Sequence, residues 1–86
     1  MRIARTENFK RVWKQLTEEE KALARKAIEN LLLDMRYPAL RVKKIKVTEN
    51  IWEARASRSL RITFPKNGDI LILRNIGHYD EALGKP

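Results

Sequence analysis

The stretch IWEARASRSLRITF, residues 51–64, decides the fold that the sequence predicts. It reads as two short strands joined by a serine-containing turn. Because successive side chains of a strand point to opposite faces, one face of this hairpin is apolar and the other is polar. The apolar face carries Trp52, Ala54, Ala56, Leu60, Ile62 and Phe64, and the polar face carries Glu53, Arg55, Arg61 and Thr63. The apolar face is expected to pack on helices, and the arginines are expected to point outward.

Two amphipathic helices precede the hairpin. The first is predicted over residues 9–16, with Asn8 as its N-terminal cap. Thr17 followed by Glu20 is a capping-box signature, so a second helix should begin there, and Pro38 should end it. The apolar stripes of both helices are predicted to be core rather than a cofactor site, and they form a helical hairpin with almost no linker.

The rest of the chain supplies further strands. Residues 2–6 are a plausible short edge strand, and the basic, alternating residues 39–50 predict a strand or a strand followed by a loop. The sequence Asn67-Gly68-Asp69 predicts a tight turn before a central strand over residues 70–73. The tail HYDEALGKP, residues 78–86, is too short for a stable helix of its own and should dock on the sheet or on a partner. We therefore predict one α+β domain over residues 1–86, in the order βααβββ, with the helical hairpin on one face of a small antiparallel sheet.

Composition limits the function. The 86 residues contain no cysteine, which excludes disulfides and thiol chemistry. No signal peptide and no membrane-spanning run is apparent, so we expect a cytoplasmic protein without a membrane partner. The net charge is +8, and residues 36–61 hold eight basic residues against Glu49 and Glu53. Such a concentration indicates a polyanionic partner, namely nucleic acid, an anionic membrane or an acidic protein, although a solubilising surface is the simpler alternative.

The polar face is a candidate phosphodiester site. Arg55 and Arg61 present guanidinium groups suited to phosphate oxygens, and His78 is a candidate general acid or base. With RNA the 2′-hydroxyl is the nucleophile, so neither a metal nor a cofactor is required, and the sequence shows no metal motif. Two alternatives stay open on the residues alone: simple binding of nucleic acid or a protein, and solvated arginines that pair with Glu53.

The order of these motifs resembles the RelE/ParE toxin superfamily of type II toxin–antitoxin systems. The matching segments are the helical hairpin of residues 9–32, the basic segment and strand of residues 40–57, SLRITF at residues 59–64 and ILRNIGHYDEAL at residues 72–83. The resemblance implies a RelE-like fold and, for the RelE-like branch, a ribosome-dependent mRNA endoribonuclease that represses translation. It also implies a cognate antitoxin, with the toxin monomeric when the antitoxin is absent. The ParE-like branch instead inhibits DNA gyrase, and a binding module without activity is a third alternative.

The resemblance also carries residues over. Arg55 and Arg61 match the sheet arginines of the RelE-like site, and His78 lies at the strand end, where the family places a basic residue or a histidine. Glu53 or Glu49 is the candidate for the opposite role in proton transfer. The predicted RNA contacts are Lys43, Lys44 and Lys46 of the basic segment, together with Arg58 and Tyr79. Tyr79 stands where the family often has arginine.

Overall fold

The computed structural model describes residues 2–45, 50–78 and 82, without the side chain of Lys66. Its elements in chain order are β1 (Arg2–Arg5), α1 (Glu7–Trp13), α2 (Glu18–Leu33), a 3₁₀ turn (Pro38–Leu40), β2 (Lys43–Lys44), β3 (Ile51–Arg55), β4 (Leu60–Asn67), β5 (Ile70–Leu73) and β6 (Asn75–His78). Neither helix in these ranges is long and apolar enough to cross a membrane.

The first helix begins earlier than predicted because a different residue caps it. The hydroxyl of Thr6 accepts a hydrogen bond from the backbone N–H of Phe9 at 3.1 Å, so Thr6 is the N-terminal cap. The prediction that Asn8 is the cap was wrong. The Asn8 side chain instead donates to the carbonyl oxygen of Arg74 at 3.1 Å, and the hydroxyl of Thr6 donates to the same carbonyl at the same distance. The start of α1 is thereby fixed to the sheet.

The predicted capping box of α2 is confirmed. The backbone N–H of Glu20 donates to the Thr17 hydroxyl at 3.1 Å, and the backbone N–H of Thr17 donates to Oε1 of Glu20 at 2.9 Å. These two hydrogen bonds satisfy two backbone N–H groups that have no acceptor within the helix. The residues that form them are three positions apart, so the motif could be recognised from the sequence. The helix ends at Leu33, several residues before Pro38.

The six strands form one sheet in the order β1-β5-β4-β3-β2, and β6 also pairs with β4. The predicted α+β fold is confirmed, and β1 is an edge strand as expected. Two features differ from the prediction. The pair of β1 and β5 is parallel, and the last strand of the chain is divided in two at Arg74. The backbone N–H of Arg74 still donates to the carbonyl of Thr63 at 2.9 Å. Both β5 and β6 therefore run alongside β4 and pair with it.

The core lies between the helices and the face of the sheet that was predicted to be apolar. Trp52 lies opposite Phe64, and Ala54 lies opposite Ile62, as expected of directly paired residues that share a face. The fully buried members of this core from the helices and the sheet include Phe9, Ala24, Leu31, Ala54, Leu60, Ile62, Phe64, Leu71, Leu73 and Ile76. The opposite face of the sheet is therefore the one that carries the candidate site.

The turn between β4 and β5 lies where the sequence placed it. Gly68 and Asp69 connect the two strands, and Gly68 has a φ of +63°. Glycine adopts this left-handed conformation without the steric cost that a β-carbon imposes, so it suits the first central position of a two-residue hairpin turn.

Candidate functional site

Two rows of side chains cross the sheet on the face away from the helices, which we call the arginine face. The first row runs over four strands, because Lys43 is paired with Glu53, Glu53 with Thr63, and Thr63 with Asn75. The second row pairs Arg55 with Arg61, and Arg61 with Gly77. Directly paired residues of antiparallel strands point to the same side of a sheet. Both arginines and Glu53 therefore lie on one face, as the sequence predicted.

The two arginines meet at the loop that joins β3 to β4. Nε of Arg55 donates to the carbonyl oxygen of Ser57 at 3.3 Å, and Nη1 of Arg61 donates to the same oxygen at 2.9 Å. Nη1 of Arg61 also lies 3.2 Å from the carbonyl oxygen of Arg58. Like charges directly opposite each other on neighbouring strands are unfavourable. These carbonyl contacts offset part of that cost, and an anion at the same place would offset more of it.

The arginine face is less exposed than the sequence indicated. Three polar residues are buried in the described part of the chain, Glu53, Thr63 and Asn75, and all three belong to the first row. Glu53 is only 5% exposed, and its Oε1 lies 3.8 Å from Nζ of Lys43. Because a buried carboxylate requires compensation for lost hydration, Lys43 is its charged partner. The arginines that were expected to point outward, Arg55 and Arg61, are themselves half-buried.

His78, the only histidine, is not brought together with the arginines. It is paired with Leu60, whose side chain is in the core, so His78 starts from the helix face of the sheet. Its Nε2 lies 3.3 Å from Oε2 of Glu20 at the beginning of α2. The hydrogen bond from the backbone of Thr17 lowers the pKa of the Glu20 carboxyl, and the charge of His78 lowers it as well. The expectation that His78 lies beside Arg55 and Arg61 was therefore wrong, because the strand register places His78 on the opposite face of the sheet.

The predicted RNA contacts do not share one surface either. Lys43 lies on the arginine face, whereas Lys44 is paired with Trp52 and lies on the other face. Arg58 is exposed in the loop between β3 and β4. The remaining predicted contacts, Lys46 and Tyr79, and the alternative carboxylate Glu49 lie outside the described residues. The basic segment thus presents charge on both sides of the edge strand β2.

The two lysines of β2 are a matched pair for experiment. Replacing either one with glutamine should reduce the slope of log affinity for single-stranded RNA against log salt by roughly 0.7 for each phosphate that the variant no longer neutralises. Only Lys43→Gln also removes the partner of a buried carboxylate, so it should lower the free energy of unfolding by about 1 kcal/mol, while Lys44→Gln leaves it unchanged. Salt titrations and urea unfolding measure the two effects. Equal unfolding curves would show that Glu53 does not depend on Lys43.

Asn75 completes the first row, and no role was predicted for it from the sequence. Its Oδ1 accepts a hydrogen bond from the backbone N–H of Ile76 at 2.8 Å, and its carbonyl oxygen lies 3.5 Å from the Thr63 hydroxyl. The only sequence signal was a polar residue after the apolar run of β5. No group of three or more histidine, aspartate or glutamate residues that could hold a metal ion is found in the described ranges.

Comparisons with known proteins agree on the fold. The toxin–antitoxin complex RelB–RelE from Methanococcus jannaschii matches with a TM-score of 0.74 and 23% identity, over 91% of this chain and 92% of that one. The intact RelBE complex of E. coli matches with a TM-score of 0.71 and 14% identity, over 90% and 94%. A YoeB/ParE toxin from Agrobacterium tumefaciens matches with a TM-score of 0.74 and 13% identity, over 92% and 99%.

Sequence comparison alone does not reach these proteins. No protein-family model matches the chain, and no curated protein matches it. The structural matches nevertheless extend over nearly the whole length of both chains in each comparison, so they include the helical hairpin and the sheet of this chain. The resemblance stated from the sequence is therefore confirmed at the level of structure: this chain has the fold of the RelE/ParE toxin superfamily.

Proposed function

We propose that this protein is the toxin of a type II toxin–antitoxin system and that it cleaves mRNA on the ribosome, thereby repressing translation. The single observation that carries the proposal is the direct pairing of Arg55 with Arg61 on the arginine face. Two guanidinium groups on adjacent strands form a fork suited to a phosphodiester. The net charge of +8 favours a polyanionic substrate.

The chemistry follows from these groups. In the proposed reaction the RNA 2′-oxygen forms a bond to phosphorus as the bond from phosphorus to the 5′-oxygen breaks. The products are a 2′,3′-cyclic phosphate and a 5′-hydroxyl. Arg55 and Arg61 would stabilise the negative charge that develops on the non-bridging oxygens. Glu53, on the same face, would accept the proton of the 2′-hydroxyl, and the leaving 5′-oxygen would take a proton from water. Because Glu53 is only 5% exposed, the reaction requires the residues that cover it to move aside.

The register makes Glu53 a better candidate for proton transfer than His78. Glu53→Gln is expected to slow cleavage by about 100-fold while RNA affinity changes little, because the amide cannot accept the proton. His78→Gln makes the same kind of replacement on the helix face, beside Glu20, and should slow cleavage far less. Single-turnover cleavage on programmed ribosomes measures both rates, and thermal unfolding verifies that both variants are folded. A large loss for His78→Gln with none for Glu53→Gln would reverse the assignment.

The proposal extends to the partners. Three of the similar structures are complexes of RelE with RelB. We propose by analogy that this protein binds a cognate antitoxin in the cytoplasm and is a monomer without it. Analytical ultracentrifugation of the free protein and of the protein with its antitoxin would determine both assemblies.

The experiment that tests the activity is induced expression followed by mapping of transcript ends. Cleavage within translated messages, unaffected by a chelator in the purified reaction, supports a metal-independent endoribonuclease. A second candidate is favoured by the match to a YoeB/ParE toxin, since ParE-like proteins act on gyrase. Growth arrest with intact transcripts and altered DNA supercoiling would establish that alternative. If expression neither cleaves transcripts nor alters supercoiling, the remaining alternative is a binding module that keeps only the fold.

A further inference from the structure

A concave surface lies at the β2 edge of the sheet, beside the end of α2. Residues 35–38, Arg41, Val42 and Trp52 line it, and it has a volume of about 350 Å³. We call it the Tyr37 pocket. Its volume is near the lower end of the range for small-ligand sites, so it suits one flat group rather than a large ligand. The arginine face does not contribute to it, because Trp52 lies on the other side of the sheet.

The walls of the Tyr37 pocket combine an aromatic ring with positive charge. Tyr37 is 49% exposed, although large aromatic side chains are usually more buried. Arg36 and Arg41 are exposed on the same rim, and none of the described residues that line the pocket is acidic. Nε of Arg36 lies 3.4 Å from Oδ1 of Asp34, just outside it. Proteins that bind single-stranded RNA stack unpaired bases on aromatic rings and hold the backbone with positive charge, and the Tyr37 pocket offers both kinds of group.

The backbone at Arg41 is strained in a way that this use would explain. Arg41 has φ 45° and ψ 47°, and it is the only non-glycine residue with positive φ in the described ranges. This left-handed conformation is unfavourable for a residue with a β-carbon, and glycine would adopt it freely. Strain of this kind is concentrated at functional sites. A glycine at this position would relieve the strain but would have no side chain, whereas Arg41 provides a guanidinium group at the rim of the pocket.

The Tyr37 pocket is continuous with the basic edge strand. Val42 leads directly into β2, where Lys44 shares the face of Trp52 and Lys43 lies on the arginine face. An RNA strand that crosses the β2 edge would therefore meet positive charge on both sides. We propose that the Tyr37 pocket binds an unpaired base of the RNA, with the base stacked on Tyr37 and flanking phosphates held by Arg36 and Arg41. This inference rests on the proposed function and gives its RNA a second contact, away from the site of cleavage.

The test measures binding of the full-length protein to a short, end-labelled, single-stranded oligoadenylate by fluorescence anisotropy. Tyr37→Ala should weaken binding about tenfold, and Tyr37→Phe should bind like the wild type because it keeps the ring. The slope of log affinity against log salt should be unchanged in both, since no charge is removed. Arg41→Gly should instead lower that slope by roughly 0.7 without lowering the melting temperature, because glycine relieves the strained backbone.

The outcomes separate this inference from the proposed function. If the wild type binds and cleaves RNA while Tyr37→Ala binds as tightly as the wild type, the Tyr37 pocket is not a base site and the proposed function stands. If the wild type binds an oligonucleotide that lacks its bases as tightly as it binds oligoadenylate, base stacking is also overturned, and the contact is with phosphates only. If Tyr37→Ala weakens binding of the antitoxin and not of RNA, the pocket belongs to a protein interface. A wild type that neither binds nor cleaves RNA overturns both proposals.

Discussion

Replacing Arg61 with alanine is expected to lower the single-turnover rate of RNA cleavage by about 100- to 1,000-fold. Removing one preorganised donor from a site where negative charge develops has an effect of this size in other enzymes. The loss should appear in RNA affinity as well, because the guanidinium group would hold the phosphate both before and during the reaction. Arg61 is well placed for this role, since it is directly opposite Arg55.

Arg58→Ala is the matched control for that experiment. Arg58 lies in the loop between β3 and β4, is exposed, and loses the same charge on replacement. The Arg61 guanidinium also donates to loop carbonyls, so Arg61→Ala has a structural effect that must be measured by urea unfolding. Arg61→Lys keeps the charge but not the fork, and should recover only part of the rate. If Arg58→Ala and Arg61→Ala both lower the cleavage rate by the same factor relative to the wild type, the charge matters and the pairing with Arg55 does not.

The largest expected effect on stability comes from Phe64→Ala, which should lower the free energy of unfolding by about 3 to 5 kcal/mol. Phe64 is 0% exposed and belongs to the core beneath the helices. Its removal takes away apolar contacts and leaves a cavity that the surrounding strands fill only in part. This loss is a large fraction of the stability of a small domain, so the variant should show a markedly lower urea midpoint.

The residue opposite Phe64 gives the contrast. Trp52 is half-buried, and its Nε1 is buried without a hydrogen-bond partner among the residues that the structure describes. Trp52→Phe removes that unsatisfied donor and keeps an aromatic ring, so it should change the stability by less than about 1 kcal/mol. The two variants thus test one pair of facing residues. If Trp52→Phe were as destabilising as Phe64→Ala, the Trp52 indole would have a stabilising partner that its geometry does not show.

The parts of the fold that the sequence predicted correctly depend on local periodicity. Alternation over residues 51–64 was sufficient to put Trp52 and Phe64 on one face and Arg55 and Arg61 on the other, because the period of a strand fixes its faces. The direct pairing of these residues was added by the structure. The capping box of α2 was equally local. The cap of α1 was not predicted, since Asn8 was expected to be the cap and its side chain instead donates to the distant carbonyl of Arg74, while Thr6 caps the helix.

Local periodicity also predicted only part of the candidate site: it placed Arg55 and Arg61 correctly and His78 incorrectly. Unbroken alternation from Ile72 would have placed His78 on the arginine face. The interruption at Arg74 adds one residue between the paired segments, so Leu73 and Ile76 both reach the core and His78 changes sides. Nothing in the residues around Arg74 signals this shift. The burial of Glu53 was also beyond prediction, because alternation identifies the face of a side chain and not what covers it.

The parallel pair of β1 and β5 has a consequence for how the protein is made. Arg2 in the first strand is paired with Ile70, and the hydrogen bond from Thr6 to Arg74 joins residues 68 positions apart. At about 5 to 20 residues per second, the first strand waits roughly 3 to 14 seconds after its own synthesis for its partner to be translated. The helical hairpin can form during that interval, but the sheet cannot close. A nascent chain therefore has no complete arginine face until β6 has been translated and has paired with β4, and any activity of that face must wait for this pairing.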